Sequence, residues 1–310
     1  MKFAFVFPGQ GSQSVGMLDA FADNPAVKAT LEEASDVLKQ DVGLLISKGP
    51  AEELGLTSTT QPVMLTAGVA IWRAWRAAGG AEPFLLAGHS LGEYAALVAA
   101  GALTFAEALP LVQFRARAMQ SAVPVGVGGM AAILGMTAEA VASVCEVARH
   151  SEVVEPANFN DPGQTVISGH MAAVLRACEL ARAKGAKRAV PLSVSAPFHS
   201  SLMRPAADEL AAYLATRPFA IPGLSVINNV DVAVNLEPGR IQDALVRQAA
   251  GAVRWVETIE KMRSQGVTHV IECGPGKVLA GLTRRIDREL VGAALIDPAA
   301  LGETLEVLQC

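Results

Sequence analysis

The run Phe84-Leu85-Leu86-Ala87-Gly88-His89-Ser90-Leu91-Gly92-Glu93 constrains this chain more than any other. A short apolar stretch leads into Gly88-x-Ser90-x-Gly92, and a small-residue apolar segment runs on to Ala100. Strand, sharp turn and buried helix in that order are the context of a nucleophile elbow. There a serine is held in a strained backbone with its hydroxyl exposed at the head of a helix. Glycine is needed on both sides because a side chain would meet the strand or the helix. An ordinary structural turn is the alternative reading, and only a base within reach of Ser90 distinguishes the two.

The rest of the chain bounds the setting. With 310 residues, 51% hydrophobic and 18% charged, it can bury a full core, as one large domain with an insertion or as two domains. A net charge of −5 argues against a broad nucleic-acid surface. Cysteines at 145, 178, 273 and 310 form no CxxC pair and no metal spacing. That usage fits a reduced, cytoplasmic protein with no metal site. Two charge-free stretches, Leu54–Trp72 and Ala118–Ala138, are interrupted by polar residues, prolines and glycines, so no membrane span is expected.

Lys2–Phe7 reads as a buried strand followed by the glycine loop Pro8–Gln13. Helices are expected at Pro25–Lys39 and at Gln61–Ala77, with Pro62 in the first turn of the latter. Thr104 and Glu107 form a capping box opening a helix to about Ser121. From Gly129 the rhythm changes. Met130–Leu134 is strand, Ala138–Arg149 helix, and Val153–Phe159 and Gln164–Ser168 strands about the turn 160–163. Met171–Lys184 is then helix and Arg188–Val194 strand. This β-α-β-β-α-β order is the ferredoxin-like arrangement. Strands at Leu224–Asn228 and Val267–Cys273, and helices at Ile241–Arg247, Val256–Met262 and beyond Gly276, complete the larger part.

Of five histidines, His89 adjoins Ser90 and points elsewhere by elbow geometry. His150 and His170 end small-domain elements and read as solvent-facing, and His269 reads as a core residue of a strand. His199 stands at a domain junction before a helix whose dipole disfavours imidazolium, so it is the candidate base. An oxyanion hole needs two backbone N–H groups. Leu91 supplies one, and the Pro8-Gly9-Gln10-Gly11 loop has the right backbone for the other. The same loop fails the GxGxxG fingerprint at Ser14. Arg115 follows Ala108, Leu111 and Val112 at helical spacing, which puts a guanidinium on an apolar face. A buried guanidinium requires an anion. Either a structural salt bridge or a clamp for a substrate carboxylate would meet that need.

Taken together, these residues strongly resemble the malonyl-CoA:acyl carrier protein transacylase family. The motifs are Phe7-Pro8-Gly9-Gln10-Gly11-Ser12-Gln13, Thr60-Gln61-Pro62, Gly88–Glu93, the helix with Arg115 and Met119-Gln120, and Gly129–Ala132. They continue through Asn158-Phe159-Asn160, Pro197-Phe198-His199-Ser200, the Gln248 region and Glu272–Gly276. The resemblance implies an α/β-hydrolase-like large domain (1–124 and 198–310) with an inserted ferredoxin-like small domain (125–197). It implies Ser90 as nucleophile, His199 as base oriented by the backbone carbonyl of Gln248, and the N–H groups of Gln10 and Leu91 as oxyanion hole. It further implies Arg115 as the carboxylate clamp and Asn158, Asn160 and Phe198 along the cleft. The implied reaction moves a malonyl group from malonyl-CoA to acyl carrier protein through a malonyl-serine, in fatty acid synthesis, with no metal or other cofactor. Relatives with the same chemistry are the transacylase subunit of malonate decarboxylase and discrete polyketide acyltransferases. A plain esterase or thioesterase would share the elbow but use an acidic third member, and acids between Ser90 and His199, such as Glu155 and Asp161, fall in the insertion. A non-catalytic carrier-binding module would need neither Ser90 nor His199.

Overall fold

Alternation along the first strand sets the layers of the larger sheet. In β1 (Phe3–Phe7) every residue is buried. Phe3, Phe5 and Phe7 point into one apolar cluster, and Ala4 and Val6 into a second on the opposite face. A strand buried on both faces belongs in the middle of a parallel sheet covered by helices. Phe5 packs edge-on against Trp72 and Trp75 at centroid distances of 5.7 and 5.1 Å. Each such buried aromatic contributes about 1.5–3 kcal/mol.

The computed structural model describes residues 1–309; Cys310, counted among the cysteines above, lies outside them. After β1 come α1 (Pro25–Leu38), α2 (Val42–Lys48), α3 (Ala51–Leu54), α4 (Thr57–Ala77), β2 (Leu85–Gly88), α5 (Gly92–Ala99) and α6 (Phe105–Ser121). Then follow β3 (Gly128–Leu134), α7 (Ala138–Arg149), β4 (Val154–Asp161), β5 (Gln164–His170), α8 (Met171–Ala183) and β6 (Arg188–Pro191). The chain ends with α9 (Arg204–Leu214), β7 (Val226–Ile227), α10 (Pro238–Ala250), α11 (Trp255–Ser264), β8 (His269–Glu272), α12 (Val278–Ile286), β9 (Val291–Ala294) and α13 (Pro298–Gln309). The result is an α/β fold with two sheets. One is parallel, in the order β7-β2-β1-β8-β9, and the other antiparallel, in the order β4-β5-β3-β6. Among the described residues no helix is long and apolar enough to cross a membrane.

The antiparallel sheet also sorts its side chains by period two. Ala131 and Ile133 of β3 face α7 and α8, where Val141, Val144 and Val174 complete a small core. Met130 and Ala132 face the other way, onto Met119 of α6, Phe198 and Met203. That second face closes the small sheet over the large one. Val253 pairs with Asn158, and Asp161 meets Arg285 at 2.7 Å, fixing the two sheets together.

Several sequence expectations need correction. Helix α4 begins at Thr57, not Gln61, so Pro62 lies past its first turn. The Thr60 hydroxyl donates to the carbonyls of Leu54 and Leu56, which holds this earlier start in place. His269 opens β8 half-buried beside Thr268 and is not a core residue. His170 is also half-buried, its Nδ1 accepting the Val153 N–H at 2.9 Å, whereas His150 is exposed as expected. The capping box at Thr104 and Glu107 forms as read, and α6 ends at Ser121.

Candidate active site

Parallel pairing of β1 with β2 places Phe7 opposite Gly88, so the loops leaving both strands meet at their carboxyl ends. The elbow is as tight as its glycines demand. A Cβ on Gly88 would lie 1.8 Å from the Gly92 carbonyl carbon, and one on Gly92 would lie 2.0 Å from the Phe7 oxygen. Ser90 sits at φ 52°, a left-handed conformation that L-residues hold only when the surroundings enforce it. Asn229 does the enforcing. Its Oδ1 accepts the Ser90 N–H at 2.7 Å while its Nδ2 donates to the Gly88 carbonyl at 2.7 Å.

His199 takes the same unusual backbone, at φ 60°. Its Nε2 lies 2.7 Å from Ser90 Oγ. Its Nδ1 faces the carbonyl oxygens of Gln248 and Gly251, at 3.0 and 3.1 Å. Two carbonyls can only accept, so Nδ1 carries the proton and Nε2 presents its lone pair to the serine. Gln248 lies in the last turn of α10, where carbonyls have no partner within the helix and carry its partial negative charge. No acidic side chain touches His199 among the described residues. Glu155 binds Ser201 and Asp161 binds Arg285.

The ring is buried, 5% exposed. Burial first, and then the positive charge of Arg115, push its pKa down to about 3. The Gln248 and Gly251 carbonyls pull the other way. A lowered pKa leaves the neutral base in place as pH falls. The kcat/KM for acylation, which reports the free enzyme, should therefore stay level from pH 8 to about pH 5. A single inflection near the ordinary histidine value of 6.5 would contradict this environment.

Arg115 is 2% exposed. The guanidinium donates to Gln61 Oε1 at 2.7 Å, Gln248 Oε1 at 3.0 Å and Ser90 Oγ at 3.2 Å. Every one of these acceptors is neutral, and Nε has no partner at all. The structural salt bridge considered above is therefore absent among the described residues. A positive charge is held beside the serine with N–H capacity to spare, and an unpaired buried charge costs several kcal/mol.

Gln10, Ser90, Leu91, Arg115, Asn158, Phe198 and His199 line one cleft of about 120 Å³, with Met119, Met130, Leu192 and Val194 as its apolar wall. Among the described residues neither the Gln10 nor the Leu91 amide donates to a protein acceptor. Asn160 does not line the cleft. It holds His89 Nε2 at 2.9 Å, and His89 itself is one of the residues lining the cleft. Sequence reasoning gave no role to Glu93, Gln61, Asn229 or the Gln248 side chain. Gln248 follows Ile241, Ala244 and Leu245 at the spacings that marked Arg115, and the same argument would have flagged it as buried.

A serine so placed, next to a neutral imidazole and free N–H groups, can accept an acyl group and pass it on. Residues 4–296 match the acyl transferase domain family. The chain belongs to this family. It is 54% identical over 98% of its length, and 99% of the relative's, to the malonyl CoA-acyl carrier protein transacylase of Salmonella typhimurium. It is 46% identical to the protein of that name from Bacillus subtilis, over 99% of this chain and 98% of the relative. The solved acyl-carrier-protein S-malonyltransferase of Burkholderia pseudomallei superposes with a TM-score of 0.98 at 65% identity, over 99% of this chain and 100% of that one. A malonyl-transacylase solved in complex with a type II polyketide acyl carrier protein gives 0.98 at 50% identity, over 99% and 100%.

Proposed function

We propose that this chain moves a malonyl group from malonyl-CoA to the phosphopantetheine thiol of an acyl carrier protein, in fatty acid synthesis. The observation that carries the reading is Arg115, a buried cation with no anion in direct contact, 3.2 Å from the Ser90 hydroxyl. A malonyl thioester brings the missing carboxylate to that cation while its carbonyl meets the serine. An esterase pocket for apolar acyl groups has no use for such a charge, and it would set an acid behind the histidine where two carbonyls stand.

In this mechanism Ser90 Oγ attacks the thioester carbonyl carbon as His199 Nε2 takes the hydroxyl proton. The oxyanion develops against the Gln10 and Leu91 N–H groups, at the head of α5. The C–S bond breaks, and CoA leaves as a thiol with the proton from His199. The carrier thiol then attacks the malonyl-serine ester, gives its proton to His199, and Ser90 recovers it on release. The thioester already carries the activation, so the scheme assigns no cofactor. Phe198, beside the base, and Asn158 both line the space offered to the malonyl group.

In the same reading the parallel sheet is an α/β-hydrolase-like core of residues 1–124 and 198–310. The antiparallel sheet is a ferredoxin-like insertion of 125–197, supported by its β-α-β-β-α-β order and its four-strand arrangement. The insertion also offers the carrier a surface. Arg182, Lys184, Lys187 and Arg188 are all exposed and none forms an ion pair among the described residues, although Arg182 donates to the Ala189 carbonyl at 2.6 Å. A second basic cluster, Lys277, Arg284, Arg285 and Arg288 around α12, is partly committed, since Arg285 is paired with Asp161.

Initial-rate kinetics with both substrates varied test the proposal. Parallel double-reciprocal lines are expected, and a carrier KM that rises with salt and with charge reversal at Lys187 and Arg188. Converging lines would rule out the acyl-serine route. An unchanged carrier KM would move docking elsewhere.

A further inference from the structure

The Gln248 side-chain amide has one orientation that satisfies its neighbours. Oε1 accepts from Arg115 Nη2 at 3.0 Å, and Nε2 donates to the Ser90 carbonyl at 3.0 Å and to Glu93 Oε2 at 2.8 Å. Reversed, the amide would press its NH₂ against a guanidinium that has only donors, and its oxygen against two acceptors. Gln61 holds the other terminal nitrogen of Arg115, so the two amide oxygens together set the guanidinium plane.

Glu93 is the unexplained member of this group. It is a carboxyl group 2% exposed, in the first turn of a helix otherwise made of small and apolar residues. It makes no ion pair among the described residues. Its Oε2 takes a second hydrogen bond, from the Asn229 backbone N–H at 3.0 Å, on the residue that pins the elbow. Burial pushes its pKa up to about 7. Either protonation state leaves an acceptor oxygen for the two N–H donors.

We propose that Glu93 is a positioning residue for acyl selection. It fixes the Gln248 amide so that its oxygen faces Arg115, and thereby holds the guanidinium where a substrate carboxylate can pair with it. The inference rests on the reading of Arg115 as carboxylate clamp. It assigns Glu93 no contact with substrate, and its effect is on discrimination between acyl groups, not on attack by Ser90.

The test is the ratio of kcat/KM for malonyl-CoA to that for acetyl-CoA in Glu93→Gln, Glu93→Leu and Arg115→Ala. Glutamine at 93 keeps an acceptor oxygen, so the ratio should stay close to that of the unchanged protein. Leucine removes it, and the ratio should fall about 10- to 100-fold, the size of one lost hydrogen bond in a charged group's support. Any loss from freeing the Asn229 N–H should lower both transfers alike and cancel in the ratio. Glu93→Met serves if the leucine variant does not fold. A ratio unchanged in the folded apolar variant, or lost equally in Glu93→Gln, overturns the proposal. If Arg115→Ala abolishes the preference while Glu93→Leu keeps it, the clamp stands and the relay through Gln248 falls. If Arg115→Ala keeps the preference, the clamp reading fails and takes the relay with it.

Discussion

Arg115→Ala should abolish malonyl transfer while acetyl transfer persists or rises. The unchanged protein meets acetyl-CoA with a buried guanidinium that the acetyl group cannot pair, and sites built for a polar group reject analogues lacking it by roughly 10⁴–10⁵-fold. Alanine removes both the attraction to the carboxylate and the penalty against its absence. The apolar wall of Met119, Met130 and Phe198 remains for a neutral acyl group. Arg115 also depresses His199, so its loss should bring the base back toward its ordinary pKa and add acid sensitivity to the residual acetyl activity. Side-by-side turnover of the two thioesters reads the effect. Equal loss of both activities would mean that Arg115 only supports the fold.

Ser90→Ala should leave no acyl-enzyme at all. His199→Ala should slow its formation by several orders of magnitude, because nucleophile and base act as a unit whose separate removal costs about as much as joint removal. The 2.7 Å contact between Ser90 Oγ and His199 Nε2 is the geometric ground for this. Alanine keeps a Cβ and so does not relieve the left-handed backbone at either position. His199→Ala also empties a buried site and takes the imidazole N–H away from the Gln248 and Gly251 carbonyls, so it should melt lower than Ser90→Ala. Stopped-flow release of CoA, with thermal melts as the folding control, measures both quantities. Wild-type acylation rates in either variant would remove that residue from the mechanism.

Much of this site is written in the sequence because its residues are chemically conspicuous. Ser90 is framed by two glycines that only a tight elbow requires. Arg115 stands on an apolar helical face where a charge needs a reason. Helix α6 could be bounded because Thr104 caps it with a side-chain oxygen. The parts that escaped are those for which residue identity carries little information. Any residue has a carbonyl, so nothing in the sequence marks those of Gln248 and Gly251 as the partners of His199. Only the ending of α10 at that point makes them so. Strand β9, Val-Gly-Ala-Ala, has little strand preference of its own and exists through its pairing with β8. Helices α2 and α3 are too short to show a period. Asn160 is placed along the cleft by the family resemblance, yet its side chain bonds to His89. Glu93 carried a signal that went unused, since an acid on an otherwise small and apolar helix is rarely buried without a partner.

The central claim is that a malonyl group rests covalently on Ser90 between its donor and its acceptor. Mixing the protein with malonyl-CoA, without carrier protein, and recording the intact mass tests it directly. The account predicts a gain of one malonyl group per chain, mapped by peptide fragmentation to Ser90, absent in Ser90→Ala, and discharged when the carrier thiol is added. A chain that transfers malonyl groups yet never gains that mass, or gains it on another residue, would contradict it.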